Sequence, residues 1–188
     1  MNIYENCPKL KNERVLLRLI EKRDCDALWK VYSDKQALPF FNCDNCNGDN
    51  FYYATKERMQ EALDFWMLAY EKGWFVRMSI VDCAIEEVIG TIEVCLRVSE
   101  DAFDQMGILR VDVRSDYEQA DLLSNIFSLI TPYMEEMLGC KGVITKAPIY
   151  AVERMEAIQR AGFCKAEDLL IGHNGFAYDG YWVYDERK

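Results

Sequence analysis

Few side chains in this sequence are of a type and spacing that could carry chemistry. Cys43 and Cys46 form a Cys-x-x-Cys pair, the spacing of half a tetrahedral zinc site, but no second close Cys or His pair completes it. Cys7 and Cys25 are the only distant candidates, so the pair reads as loop thiols. His173, the single histidine, precedes Asn174-Gly175 and reads as turn surface. Proton-handling groups of another kind are Glu93 and Asp112, carboxylates within apolar runs, and the phenol of Tyr150. A strand carboxylate more often faces water, and an aromatic at a helix start more often packs on the sheet.

These groups must be positioned by a chain of 188 residues, a length that suits one domain spanning 1–188. Hydrophobic residues make up 51% and charged residues 29%, a globular composition. With 22 Lys and Arg against 32 Asp and Glu the net charge is −10, so the broad positive field used to bind nucleic acid or an anionic membrane is missing. No nucleic-acid or membrane partner is therefore expected. The first residues carry no basic segment leading into an apolar one, and no run approaches the ~20 apolar residues of a membrane span. A soluble cytoplasmic protein is expected, its eight scattered cysteines reduced.

The periodicity predicts a strand over Glu13 to Ile20, then a helix capped by Asp24 with Ala27, Leu28, Val31 and Tyr32 on one face. A polar loop from Asn42 to Asn50 leads to a second helix, capped by Thr55 and ended by Gly73. Trp74 to Val81 and Val88 to Val98 read as an antiparallel hairpin, and Gly107 to Val113 as a further strand. Ser115 or Asp116 can cap a long helix whose buried side runs from Leu122 to Met137, and Pro132 must kink or split it. A strand from Gly142 to Lys146, a helix from Val152 to Ala161 and strands Phe163 to Ile171 and Phe176 to Tyr184 complete the chain. The expected class is α/β (α+β), a mixed and largely antiparallel sheet flanked by helices.

The order of these elements and the phrases within them resemble the GNAT superfamily of N-acetyltransferases, in particular the branch that acetylates ribosomal-protein N-termini and related amines. The phrases are Glu13-Arg14-Val15-Leu16-Leu17-Arg18-Leu19 with Asp24 and Tyr32-Ser33-Asp34, then Val88-Ile89-Gly90-Thr91-Ile92, Ala161-Gly162-Phe163, and Tyr178-Asp179-Gly180-Tyr181-Trp182-Val183-Tyr184. Together they span roughly residues 10–187. The resemblance implies a strand that splays from its neighbour, opening a slot for the pantetheine arm of acetyl-CoA. It also implies a following turn whose backbone N–H groups bind the pyrophosphate. On that reading the backbone of Val111 and Val113 would hold pantetheine, and Arg114, Gln119, Ala120, Asp121, Leu122, Leu123 and Ser124 would face the phosphates. Acetyl transfer would go to a primary amine, on a small molecule or a protein N-terminus, with a homodimer left as a possibility.

The chain departs from the family where the cosubstrate should sit. The phosphate motif begins with Arg or Gln and has Gly at its fourth place and Gly or Ala at its sixth. Starting from Glu118 the glycine places hold Asp121 and Leu123, and starting from Gln119 they hold Leu122 and Ser124. Asp116, Glu118 and Asp121 add negative charge at a turn meant for pyrophosphate. Counting back from Gly162-Phe163, the places of the family's Asn and of its general-acid Tyr hold Ala151 and Ile158. Tyr150 is then the nearest phenol to act as acid, and Glu93 (through water) or Asp112 the candidate base. Two readings follow: an N-acetyltransferase using acetyl-CoA, or a GNAT-fold module that has lost CoA and binds another ligand or partner. The aromatics Phe40-Phe41 and Phe51-Tyr52-Tyr53, flanking the 42–50 loop, are expected to shape the acceptor pocket.

Overall fold

Apolar residues alternate with polar ones along the three central strands, and that alternation organises the molecule. A computed structural model describes residues 2–185; Met1 and residues 186–188, where the sequence resemblance ends, lie outside the described residues. The elements run β1 (Leu10–Lys11), β2 (Val15–Leu19), α1 (Cys25–Tyr32), α2 (Lys56–Glu71), β3 (Val76–Asp82), β4 (Glu87–Leu96), β5 (Gly107–Val113), α3 (Ala120–Ile130), α4 (Met134–Leu138), β6 (Val143–Lys146), α5 (Val152–Arg160), β7 (Cys164–Lys165), β8 (Leu170–Ile171), β9 (Ala177–Tyr178) and β10 (Tyr181–Tyr184). Among the described residues eight strands form one sheet in the order β1-β2-β3-β4-β5-β6-β10-β7, and every pair in it is antiparallel except β5 with β6. The fold is thus mixed α/β with a largely antiparallel sheet flanked by helices, as the element pattern predicts.

On one face Val76, Met78 and Ile80, Ile92 and Val94, and Leu109, Val111 and Val113 pack with Leu123, Ile126, Phe127 and Ile130 of α3 and Ile158 of α5. Each such side chain contributes about 1.5–3 kcal/mol when fully buried. The opposite face is polar: Arg77, Ser79, Thr91, Glu93, Arg110 and Asp112 lie beneath α1 and α2. Register turns them into rungs. Arg77 is opposite Glu93 and Glu93 opposite Arg110, while Arg18, Ser79, Thr91 and Asp112 form the next row. Cross-strand neighbours stand about 4.5–5.5 Å apart, so opposite charges meet without further design.

Several sequence expectations hold and others need correction. Thr55 caps α2, its hydroxyl accepting from the Arg58 N–H at 3.2 Å. Pro132 does split the long helix: α3 ends at Ile130, a 3-10 turn covers Thr131–Tyr133, and α4 follows, because a proline is harmless where the first-turn N–H has no helical partner. That helix, however, begins at Ala120 and not at Ser115. Residues Ser115–Tyr117 form a separate 3-10 turn, held by the Asp34 carboxylate on the Ser115 N–H at 2.9 Å. Asp24 does not cap α1. Its carboxylate is drawn into a bidentate pair with Arg18 (2.7 Å each) and accepts from Ser79 and from the Glu21 N–H. The hairpin strands start at Val76 and end at Leu96, so Trp74 and Val98 stay outside them. The last two expected strands are broken up as well. The positive φ of Gly180 (+78°) separates β9 from β10, so β8 and β9 pair only with each other while β10 joins β6 and β7.

Candidate functional site

The sheet opens at its one parallel step. Between β5 and β6 only Gly107 with Val143 and Ile108 with Ile144 are paired, after which the strands diverge. The Gly107 N–H donates to Gly142 at 2.8 Å, so by strand alternation the backbone groups of Leu109, Val111 and Val113 also point toward the opening.

Side chains from α5 fill that opening on the α3 side. Arg154, only 2% exposed, donates from Nη1 to the Val111 carbonyl at 2.6 Å. Its Nε and Nη2 grip the two oxygens of Glu118 at 2.7 Å each. The neighbouring Glu153 carboxylate accepts from the Ala120 N–H at 2.7 Å, the first residue of α3. An acidic side chain suits that position because the unpaired amides of a helix start favour negative charge. Gln119 bends back to the Asp116 carbonyl, and Arg114 forks onto the Asp116 carboxylate. Asp121 is exposed and paired with Arg160, Leu122 and Leu123 are buried in the core, and Ser124 is half-buried in α3. Thus Val111, Arg114, Gln119 and Ala120 already have internal partners, and the side chains of Leu122 and Leu123 pack into the core.

The other side of the opening is strapped by the 42–50 loop. The Asp44 carbonyl accepts from Arg110 of β5 at 2.9 Å, and its carboxylate pairs with Lys146 of β6 and accepts from the Tyr181 hydroxyl of β10 at 3.1 Å. Tyr150 lies apart from these groups, 59% exposed, with its hydroxyl on the Pro39 carbonyl at 2.6 Å and its ring 6.2 Å from that of Phe40.

Glu93 and Asp112 meet at one guanidinium. Buried Arg77 pairs with Glu93 through Nη2 and with Asp112 through Nη1 (3.1 Å), and Nη1 also reaches the hydroxyls of Tyr32 (2.8 Å) and Thr91 (3.1 Å). Burial pushes the Glu93 carboxyl up, but Arg110 and Arg77 outweigh it and hold it below its ordinary value. Both Glu93 oxygens are engaged by these arginines, which leaves a weak base. For Asp112 burial dominates and raises the carboxyl; its Oδ1 has no hydrogen-bond partner among the described residues. The structure brings these two candidates together, whereas Tyr150 stands apart from them in a surface hollow with Ser115, Glu118 and Glu153.

Beyond Glu93 and Arg110 lies a cavity of about 660 Å³, walled by Phe51, Phe65, Trp66, Trp74 and Phe75 and by the 42–50 loop. Of the flanking aromatics, Phe51 and Tyr53 line it, and Phe40, Phe41 and Tyr52 do not. Its rim is tied by Arg97 and Asp101, which together hold the carbonyl and N–H of Ile171 at 2.7 and 2.8 Å. Burial raises the Asp101 carboxyl, but Arg97 and the amides of Ile171 and Phe103 bring it down to about 2. A lowered carboxylate contributes stability that is present above its unfolded value near 3.8 and lost as pH falls through the folded one. Asp101→Asn is therefore expected to cost about 1–2 kcal/mol at pH 7, allowing for solvent screening, and progressively less as pH falls below the unfolded value toward and past the folded one. Urea midpoints of both proteins across that range measure it.

Arg154, Asp44 and Arg77 carried no role in the sequence reading, and Glu118 entered it as a negative charge at the phosphate turn, without its arginine partner. One signal was present: Arg154 shares the buried stripe of α5 with Ala157 and Ile158, an unusual place for a guanidinium. Among the described residues no three His, Cys, Asp or Glu side chains converge on a metal site. Nor is any described helix long and apolar enough to cross a membrane.

Sequence comparison finds no match, either to a family model or to a curated protein. Structure comparison does. A GNAT-family acetyltransferase from Bacillus anthracis aligns with TM-score 0.71 over 96% of this chain and 100% of its own, at 14% identity. Ribosomal-protein-S5-alanine acetyltransferase from Vibrio fischeri gives 0.68 over 95% and 96%, at 14% identity. An aminoglycoside acetyltransferase solved with coenzyme A and kanamycin gives 0.67 over 92% and 95%, at 12% identity. The fold is therefore that of the GNAT acetyltransferases. Acetyl-CoA, which such a fold implies, is not fitted by the residues of this splay as they stand: the Val111 acceptor is spent on Arg154, the first α3 N–H on Glu153, and no glycine lies at the turn.

Proposed function

We propose that this chain is a GNAT-fold binding protein whose acyl-CoA slot is closed from within and whose cavity beside β4 and β5 takes a small ligand. The single observation that carries this reading is the buried Arg154–Glu118 pair lodged against the Val111 carbonyl. To admit pantetheine, Arg154 would have to leave Glu118 unpaired, and stripping one partner from a buried ion pair costs about 3–5 kcal/mol. The phosphates would then meet Glu118 and Glu153, like charges at a turn without glycine. Arg154 and Glu153 come from the first turn of α5, and Glu118 from the turn that precedes α3. The reading keeps a single domain over 1–188 and makes no use of Tyr150 as an acid.

A second reading, acetyl transfer from acetyl-CoA to a primary amine on a small molecule or protein N-terminus, draws on the retained splay of β5 from β6 and on the acetyltransferases that share the fold. Calorimetry and thermal unfolding with acetyl-CoA separate the two. The expected result is no heat and no shift in Tm at about 1 mM. A ligand at 100 times its Kd would stabilise the protein by about 2.7 kcal/mol, and a shift of that order would establish the second reading instead.

A further inference from the structure

We infer that the cavity beside β4 and β5 is a site for a small planar organic anion, an aromatic carboxylate in chemical class, and not for a cationic amine; this rests on the ligand-binding reading above. At about 660 Å³ the cavity falls in the size range of small-molecule sites. Its outer wall leaves large aromatic area in water: Phe65 and Trp74 are half exposed, 6.3 Å apart between ring centres, with Phe75 6.0 Å from Phe65. Aromatic surface of that extent around a concavity suits a flat, apolar ligand body.

The carboxylates that line the site are already occupied. Both oxygens of Glu93 are engaged by Arg77 and Arg110. Asp49 accepts from the Phe51 N–H (2.8 Å), the Tyr53 hydroxyl (3.1 Å) and Arg58 (3.3 Å), and the Asn45 side-chain carbonyl accepts from the His173 N–H (2.9 Å). The carboxylates that could attract an ammonium group are therefore already neutralised. The donors are not exhausted: Arg97 and Arg110, both lining the cavity, keep Nε–H groups without a partner among the described residues, and Arg97 is only 5% exposed. Arg58, Arg97 and Arg110 line the cavity with Asp49 and Glu93, while Asp101, the partner of Arg97, stands behind the lining. An arriving carboxylate can form charge-assisted bonds to these arginines, where an ammonium group meets like charge.

Calorimetric titration of the full chain with three probes sharing one ring tests this: indole-3-acetate, the neutral indole-3-acetamide, and cationic tryptamine. The anion is expected to bind at least about 10-fold tighter than the amide, tryptamine more weakly still, and added salt to weaken the anion alone. Trp74→Ala, at an exposed position that leaves the core untouched, is expected to weaken the anion about 5-fold or more. Tryptamine binding as tightly as the acetate overturns the inference, as does the absence of heat from all three at about 5 mM. Acetyl-CoA titrated into the same protein judges the closed slot separately: heat from acetyl-CoA overturns that reading and leaves the order among the indoles to decide this one.

Discussion

Arg154→Ala is expected to lower stability by about 3–5 kcal/mol, a large part of the 5–15 kcal/mol that separates folded from unfolded protein. The reason is what remains: Glu118, with a side chain only 7% exposed, loses both of its bonds to Arg154, while the Val111 carbonyl loses its donor. Packing loss alone would cost less, since the arginine stem can be replaced by alkyl volume. The double change Arg154→Met with Glu118→Leu is accordingly expected to lie within about 1 kcal/mol of the parent or above it, because it removes both charges from a poorly solvated place. Urea midpoints at constant m-value measure each variant, and the non-additivity of the cycle reports the pair directly. A single-variant loss below about 1 kcal/mol would mean that Arg154 does not fill the splay, and the closed-slot reading would go with it.

Arg77→Met is expected to be the most damaging single change, above about 4 kcal/mol. Arg77 is buried between two carboxylates and two hydroxyls, with its guanidinium 4.2 Å from the centre of the Trp66 ring and 5.2 Å from that of Phe51. Methionine fills much of the volume and satisfies none of these groups. Glu93 retains Arg110, so the heaviest loss falls on Asp112, whose remaining donor is the Tyr32 hydroxyl at 2.9 Å. The effect carries a pH signature. A carboxyl raised by burial is protonated more readily in the folded state than in the unfolded one, so stability falls as pH rises from the unfolded value through the folded value. Without Arg77 that rise is larger, and the variant is expected to lose less at pH 5 than at pH 8. Adding Asp112→Asn is expected to recover part of the loss at pH 8 and little at pH 5. Equilibrium unfolding at the two pH values checks both statements; equal losses at both would place the cost elsewhere than Asp112.

Most of the architecture was legible along the chain because it depends on local periodicity. The apolar stripes of α2 and α3, the alternation in β3, β4 and β5, the Thr55 cap and the break at Pro132 are properties of short segments. Reading failed where a distant partner competes for a local group. Asp24 looked like a cap until Arg18 and Ser79 claimed its carboxylate, and the helix expected from Ser115 waits until Ala120 because Asp34 takes the Ser115 N–H.

The site divides along the same line. The missing glycines and the acidic turn at 116–121 could be read from residue types alone, since no tertiary contact can put a glycine at Asp121 or Leu123. Where the charges of Glu93, Asp112, Arg154 and Glu118 would end could not. Glu93 and Arg77 are 16 positions apart, Arg154 and Glu118 36, and the energy of each pair depends on strand register and helix placement that no local pattern encodes. A carboxylate on a strand is a base, a spectator or half of an ion pair according to what faces it, and that is settled only when the sheet and its helices close around it.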